Sequence, residues 1–171
     1  MPVYVTEAKA FAIAAHSAVN QKRKYTGEPY WNHPVEVAET LQAAGFHDPV
    51  MIAAAYLHDV VEDTGVTAYD LLQVFPAEVV DTVLWLTDVS RPEDGNRKTR
   101  KALDREHTAR APFQARVVKA FDLLSNSASI TRHDPGFAKT YLAEKRALLA
   151  DPRFTVGFPQ SLIDRLTAYI G

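Results

Sequence analysis

The stretch Tyr56–Thr64, which reads YLHDVVEDT, contains the ionisable residues that say most about this chain. It ends an apolar run on the pair His58-Asp59, and a second pair, Glu62-Asp63, follows one helical turn later. In a helix the i to i+4 spacing stacks each acid of the second pair above one residue of the first. Three carboxylates this close repel one another and resist burial unless a partner compensates them. The stretch therefore indicates a bound divalent cation.

The bulk composition is that of an ordinary globular protein, with 47% hydrophobic and 23% charged residues. A length of 171 residues predicts a single domain that spans 1–171. The net charge of −2 provides no positive field for nucleic acid or an anionic membrane, so we expect neither as a partner. These numbers leave the oligomeric state unknown.

Cysteine is absent, which excludes disulfides, thiolate metal sites and cysteine nucleophiles and fits a reducing cytoplasm. The basic cluster at 22–24 follows the first apolar stretch instead of preceding it, so that stretch is not a signal peptide. No segment approaches the roughly 18 consecutive apolar residues of a membrane span. We expect a cytoplasmic protein.

Helical spacing of apolar residues recurs along the chain, and βαβ alternation, a Gly-rich phosphate loop and internal repeats are absent. The sequence predicts a compact all-α fold. We expect helices over about 6–24, 33–44, 49–59, 67–75, 77–88, 96–110, 113–130, 137–149 and 160–170. The valine-rich run at 79–86 is the place where a strand is the alternative, but its i, i+3, i+4 and i+7 spacing favours a helix.

The first of these helices is expected to begin at Thr6 as its cap. Its apolar stripe is predicted to consist of Ala10, Phe11, Ala14, Ala15 and Ala18. The loop QKRKYTGEPYW follows at 21–31. Its basic residues, Arg23 and Lys24, either cap the helix or grip a phosphate or base.

Candidate ligands for the cation are His33, at a His-Pro helix start, the pair His58-Asp59, and Asp122 on a buried helix. On that last helix Lys119, Asp122 and Asn126 are spaced to project from one side. Mixed nitrogen and oxygen ligation without sulfur suits manganese, iron, cobalt, nickel or zinc better than calcium or magnesium. An isolated histidine is more often a capped or solvated residue than a ligand, so only the complete set of residues indicates a metal site.

The complete set resembles the HD-domain metal-dependent phosphohydrolases. More closely, it is similar to the hydrolase domain of the Rel/Spo stringent-response enzymes and to their stand-alone relatives, the small alarmone hydrolases, which include the metazoan SpoT homologues. The specific segments are QKRKYTGEPYWNHPVEVAETL, AAYLHDVVEDTGVT and VKAFDLLSN, and the resemblance runs from about Phe11 to Tyr141.

This resemblance implies a role for each matching residue. The implied metal ligands are His33, His58, Asp59 and Asp122, and Glu62 and Asp63 match the acids that orient and activate water. The implied contacts with the nucleotide are Arg23, Lys24, Lys98, Asn126 and Tyr141. One departure is Leu123, because family hydrolases often carry Arg or Lys at that position.

The activity implied is manganese-dependent hydrolysis of the 3′-pyrophosphate of guanosine tetra- or pentaphosphate, giving GDP or GTP and pyrophosphate. Three alternatives stay open from the sequence. One is an HD phosphohydrolase that acts on an adenosine alarmone or a deoxynucleotide, and another is an HD domain that binds a nucleotide without cleaving it. The third is a helical nucleic-acid binder that uses the basic stretch Arg97–Lys101.

Overall fold

The computed structural model describes all residues from 1 to 171, and its regular structure is helical. The predicted all-α fold is confirmed, including the helix over the valine-rich run. The chain forms two compact units, Met1–Thr87 and Asp88–Gly171. The expectation of a single domain over 1–171 stays a prediction. Every helix is too short or too polar to cross a membrane.

The first unit is organised around a short, buried central helix. Its helices are α1 (Val3–Ala18), α2 (Asn32–Ala43), α3 (Pro49–Leu57), α4 (Val60–Asp63), α5 (Ala68–Leu72) and α6 (Ala77–Leu86). Helix α3 packs against α1, α2 and α6, and its residues from Met51 to Leu57 are buried. Its alanines allow those neighbours to approach closely. Asp48 caps α3 by accepting a 2.8 Å hydrogen bond from the backbone N–H of Val50.

Helix α1 differs from the sequence prediction at both ends and in its buried face. It begins at Val3, after an extended Pro2, and it ends at Ala18, before Asn20 adopts a φ of 49°. Its buried residues are Val5, Ala8, Ala12 and His16, so the predicted stripe was wrong. Alanine occurs on every side of this helix, and hydrophobic periodicity could not select one face.

The second unit is built on the longest helix of the chain. Its helices are α7 (Arg97–Ala109), α8 (Phe113–His133), α9 (Pro135–Leu149), α10 (Pro152–Thr155) and α11 (Gln160–Ile170), preceded by a 3₁₀ turn at Pro92–Asp94. Helix α8 packs against α9 and α11. Helix α10 was not predicted, because four residues are too few to show a period.

Helix α7 is mostly exposed or half-buried, as its charged sequence predicts, and its two buried residues are Asp104 and Ala109. Asp104 is buried and accepts hydrogen bonds from the backbone N–H groups of Val89 and Ser90 and from the Ser90 hydroxyl. Lys101 forms a 3.3 Å ion pair with the same carboxylate. The carboxylate of Asp104 therefore anchors the loop that leads into α7.

Arg116 on α8 joins two connecting segments of the second unit. It is 8% exposed, and its guanidinium donates to the carbonyl oxygens of Ala111, Phe154 and Val156 at 2.7–2.9 Å. The rings of Phe113 and Phe158 lie 5.7–5.9 Å from its charged carbon. Burial lowers the pKa of Arg116, but arginine remains charged in proteins.

We expect Arg116→Met to lower the free energy of unfolding by about 3–5 kcal/mol, because three carbonyl groups lose their donor. Chemical denaturation of the full chain measures this loss. Arg146→Met is the matched control, because Arg146 is an exposed arginine whose contact with the Gly171 carbonyl is 3.4 Å long. Equal stability of the two variants would contradict the structural role of Arg116.

Candidate metal and catalytic site

The stretch YLHDVVEDT is not one continuous helix, although the third helix was expected to run through Asp59. Helix α3 ends at Leu57, His58 and Asp59 form the connection, and α4 begins at Val60. The backbone N–H of Asp63 still donates to the carbonyl of Asp59 at 3.0 Å, so the i to i+4 stacking of these two acids is retained. The break lets the two candidate ligands leave the helical path while the second acid pair stays one turn away.

Three side chains of the first unit converge at this break. The Nε2 atoms of His33 and His58 lie 3.7 Å and 3.1 Å from Oδ2 of Asp59. One ligand atom from each residue lies within 4.8 Å of the others. Both imidazoles are buried and their ring centroids are 5.3 Å apart. Two nitrogens and a carboxylate oxygen form a donor set that fits a divalent transition metal, so these residues could hold one.

Backbone contacts orient the ligand atoms. His33 lies in the first turn of α2, directly before Pro34, whose missing N–H costs nothing there. His58 places Nδ1 2.8 Å from the carbonyl oxygen of Ala55. Because a carbonyl only accepts, Nδ1 carries the proton and Nε2 carries the lone pair that a metal requires.

The loop between α1 and α2 supplies a further contact to the carboxylate of Asp59. The hydroxyl of Tyr30 donates to Oδ2 of Asp59 at 2.6 Å. Backbone hydrogen bonds between Arg23 and Glu28 and between Gln21 and Tyr30 hold this loop closed. The guanidinium carbon of Arg23 lies 6.0 Å from the centre of the Tyr30 ring. Arg23 therefore lies against the side chain that donates a hydrogen bond to the candidate ligand Asp59.

Lys24, the other basic residue of this loop, is exposed, and its ammonium lies 5.0 Å from the centre of the Tyr25 ring. The acid pair Glu62 and Asp63 lies on α4, and both side chains are accessible to solvent. Protein around its carboxylate raises the pKa of Asp63, and a hydrogen bond from Gln21 opposes that rise. Asp63 is thus a stronger proton acceptor than an ordinary aspartate but remains able to meet water.

The remaining predicted site residues belong to the second unit. The polar face of α8 is confirmed there, because Asp122 accepts hydrogen bonds from Lys119 at 2.8 Å and from Asn126 at 2.6 Å. Burial alone lowers the pKa of Lys119, but the ion pair with Asp122 outweighs it and raises that pKa. Tyr141 is also buried, and this burial raises the pKa of its hydroxyl.

Lys98 lies in the first turn of α7, within the helix predicted over 96–110, and it lines a groove between α7 and α9. The groove encloses about 690 Å³. Its charged lining residues are Arg97, Lys98, Lys101, Arg105, Lys139 and Glu144. Arg97 binds Glu144 through two hydrogen bonds of 2.8 and 3.0 Å, and Lys101 is paired with Asp88 and Asp104. The net positive charge of the groove therefore comes from Lys98, Arg105 and Lys139, and it suits an anion.

The sequence reasoning missed Tyr30, Gln21 and Lys145. Tyr30 and Gln21 lie in the loop at 21–31, and their distance along the chain from Asp59 and Asp63 hid the hydrogen bonds that they donate to these two acids. Lys145 lies 5.0 Å from the centre of the Tyr141 ring on α9. Burial, together with repulsion from Lys119 and Lys101, lowers its pKa to about 8. No local sequence pattern signals a lysine of this kind.

Comparison with known proteins places the chain in a family. The profile of the HD domain matches residues 8–145. The MESH1 guanosine-3′,5′-bis(diphosphate) 3′-pyrophosphohydrolase of Danio rerio is 38% identical over 125 residues, which cover 72% of this chain and 68% of the relative. The protein of the same name from Homo sapiens is 37% identical over 131 residues, which cover 75% of this chain and 70% of that protein.

A solved structure extends the likeness to the fold. The structure of a metazoan ortholog of SpoT that hydrolyzes ppGpp matches with a TM-score of 0.85 and 26% sequence identity. The match covers 99% of this chain and 94% of that chain. The resemblance inferred from the sequence motifs is confirmed. The chain belongs to the HD-domain family and, within it, to the group that includes the MESH1 proteins.

Proposed function

We propose that this protein hydrolyses the 3′-pyrophosphate of guanosine tetra- or pentaphosphate to GDP or GTP and pyrophosphate. The observation that carries the proposal is the cluster of His33, His58 and Asp59, followed one helical turn later by two solvent-accessible acids. The MESH1 relatives are named for this activity. The proposed activity requires a small nucleotide as the partner.

The cofactor we propose is Mn²⁺, held by His33, His58 and Asp59, with Asp122 as the fourth ligand on the basis of the sequence resemblance. Nitrogen and carboxylate ligands without sulfur support manganese or another divalent transition metal. When bound, such a cation neutralises phosphate charge and makes water a better nucleophile at neutral pH.

Glu62 and Asp63 act on the attacking water in this proposal. The water oxygen forms a bond to the phosphorus nearest the ribose, the bond from that phosphorus to the 3′ oxygen breaks, and the 3′ oxygen leaves as a hydroxyl. A carboxylate of the pair takes the proton that the water loses and returns it to the departing 3′ oxygen. The raised pKa of Asp63 supports it as the acceptor.

Cationic and polar side chains supply the substrate contacts. On the basis of the sequence resemblance, we propose that the nucleotide is contacted by Arg23, Lys24, Asn126 and Tyr141. Lys98 contributes through the positive groove between α7 and α9. These local charges explain how a chain with a net charge of −2 could bind a substrate with several phosphates.

Lys145 supports an anionic ligand on independent grounds. A half-buried lysine that is repelled by Lys119 and Lys101 destabilises the ligand-free protein. The stability of the fold therefore does not explain why a lysine occupies this position. A nearby phosphate removes both the repulsion and the loss of solvation. Family hydrolases often carry Arg or Lys at the position of Leu123, which is buried and apolar in this chain. Lys145, beside Tyr141, could supply the positive charge that this position lacks.

For Lys145→Met we expect an increase of about 1–3 kcal/mol in the free energy of unfolding at pH 7. The folded-state pKa of about 8 lies below the ordinary value of 10.5, so protonation opposes folding below about pH 8. The gain should shrink as the pH rises from 8 towards 10.5. Denaturation curves across this range measure it.

The same substitution should raise KM for guanosine tetraphosphate about tenfold, because one phosphate contact of about 1.4 kcal/mol is lost. Lys139→Met, an exposed position on the same helix, is the control for stability and should change it little at any of these pH values. A less stable Lys145→Met protein at pH 7 with an unchanged KM would contradict this role.

Glu62→Ala and Asp63→Ala should each lower kcat by roughly 10²–10⁴-fold, the span of a lost general base. Steady-state release of pyrophosphate by the manganese-loaded protein measures this change. Glu36→Ala, a glutamate on α2, provides the control for loss of a carboxylate elsewhere in the first unit. Turnover at the wild-type rate by either acid variant would remove that residue from the mechanism.

The proposal as a whole is tested by incubating the metal-loaded protein with guanosine tetraphosphate, its adenosine counterpart and a deoxynucleoside triphosphate. We expect pyrophosphate and GDP from the guanosine substrate, in a reaction that a chelator stops. Cleavage of another nucleotide in preference would reassign the substrate. Metal-independent binding of all three without any product would favour a binding domain and contradict hydrolysis.

A further inference from the structure

His16 is a buried, ionisable side chain that the mechanism above does not use. It lies on the buried face of α1 and is 0% exposed. Its ring centroid lies 5.0 Å from that of Tyr30, whose hydroxyl binds Asp59. A histidine in such a place needs a reason, because phenylalanine or leucine fills a core position without polar groups to satisfy.

Two hydrogen bonds connect His16 to the acid pair. Nδ1 of His16 lies 2.7 Å from Oε1 of Gln21, and Nε2 of Gln21 donates to Oδ2 of Asp63 at 2.9 Å. A carboxylate only accepts, so Gln21 turns its amide N–H towards Asp63 and its carbonyl towards His16. That carbonyl in turn only accepts, which assigns the proton of the neutral imidazole to Nδ1.

The other ring nitrogen indicates that the histidine is not retained for stability. Burial lowers the pKa of His16, so the ring is neutral and Nε2 carries a lone pair. This atom is buried without a hydrogen-bond partner. An unsatisfied buried acceptor destabilises the folded state by about 1–3 kcal/mol. This loss of stability occurs at a residue whose other ring nitrogen, Nδ1, donates a hydrogen bond to Gln21.

We propose that His16 is a positioning residue that acts through Gln21 on Asp63. The two hydrogen bonds fix Oδ2 of Asp63 and leave Oδ1 to accept the proton of the attacking water. The inference rests on the proposed function, because Asp63 needs a fixed orientation only if it takes part in the reaction. Fixing a reacting group in advance lowers the barrier by removing unproductive orientations.

The first test compares kcat and KM for guanosine tetraphosphate in the manganese-loaded full chain. His16→Phe keeps a ring of similar size but removes the donor, and Gln21→Leu removes both hydrogen bonds. Each should lower kcat about tenfold and leave KM within about twofold, since binding contacts are unchanged. Gln42→Leu is the matched control, because the amide of Gln42 in the same unit donates to the Ala38 carbonyl.

A conservative variant separates positioning from stability. His16→Asn carries an N–H donor near the place of Nδ1 but leaves a cavity, so it should be less stable than His16→Phe and yet more active. A double-mutant cycle gives a second separation. Adding His16→Phe to Asp63→Asn should cause no further loss of kcat, whereas a general structural effect would multiply the two losses.

A measurement without turnover decides the case even if a variant fails to fold. A long-range ¹H–¹⁵N spectrum of the metal-free wild-type protein should show His16 protonated at Nδ1. Protonation at Nε2, wild-type kcat in His16→Phe, or multiplicative losses in the cycle would overturn the inference. Absence of hydrolysis by the wild-type protein would instead overturn the proposed function, while the spectrum would still report the hydrogen bond from His16.

Discussion

The hydrogen bond between Nδ1 of His58 and the carbonyl oxygen of Ala55 is the interaction on which the candidate site depends. It lies where α3 ends, and it selects the tautomer that presents Nε2 to the carboxylate of Asp59. The buried α3 fixes the position of that carbonyl, since α1, α2 and α6 surround it. The close packing of the small alanine side chains of α3 therefore determines the orientation of a candidate ligand atom.

Charge is distributed differently in the two units, and the difference suits the proposed reaction. The first unit gathers acids and imidazoles around the helix break, which favours a cation. The second carries the lysines and arginines of the groove between α7 and α9 and the repelled Lys145, which favour an anion. A chain that is nearly neutral overall can therefore bind a metal and a polyphosphate through separate local fields.

The sequence was sufficient for the all-α fold and for the convergence of His33, His58 and Asp59. Local signals specify the fold, because Pro, Gly and Asp residues end or begin its helices. The convergence of the three side chains was implied by the family resemblance, which the His-Pro helix start and the His-Asp pair help to carry. The roles of Asp122, Asn126, Tyr141 and Lys98 stay predictions.

The break between α3 and α4 was missed because both sides of it keep helical spacing. The buried face of α1 was predicted wrongly because alanine occurs on every side of that helix. The burial of His16 was therefore missed. Gln21 meets Asp63 only through tertiary packing over 42 positions of sequence, which periodicity does not report.

We propose that two imidazoles and a carboxylate of the first unit bind a divalent cation. Pulsed electron paramagnetic resonance of the full chain titrated with Mn²⁺ measures this directly, through the nitrogen couplings of coordinated histidines. We expect one bound ion per chain, with imidazole couplings that are reduced in His33→Ala and in His58→Ala. Bound manganese without nitrogen coupling, or couplings that both variants retain, would contradict it.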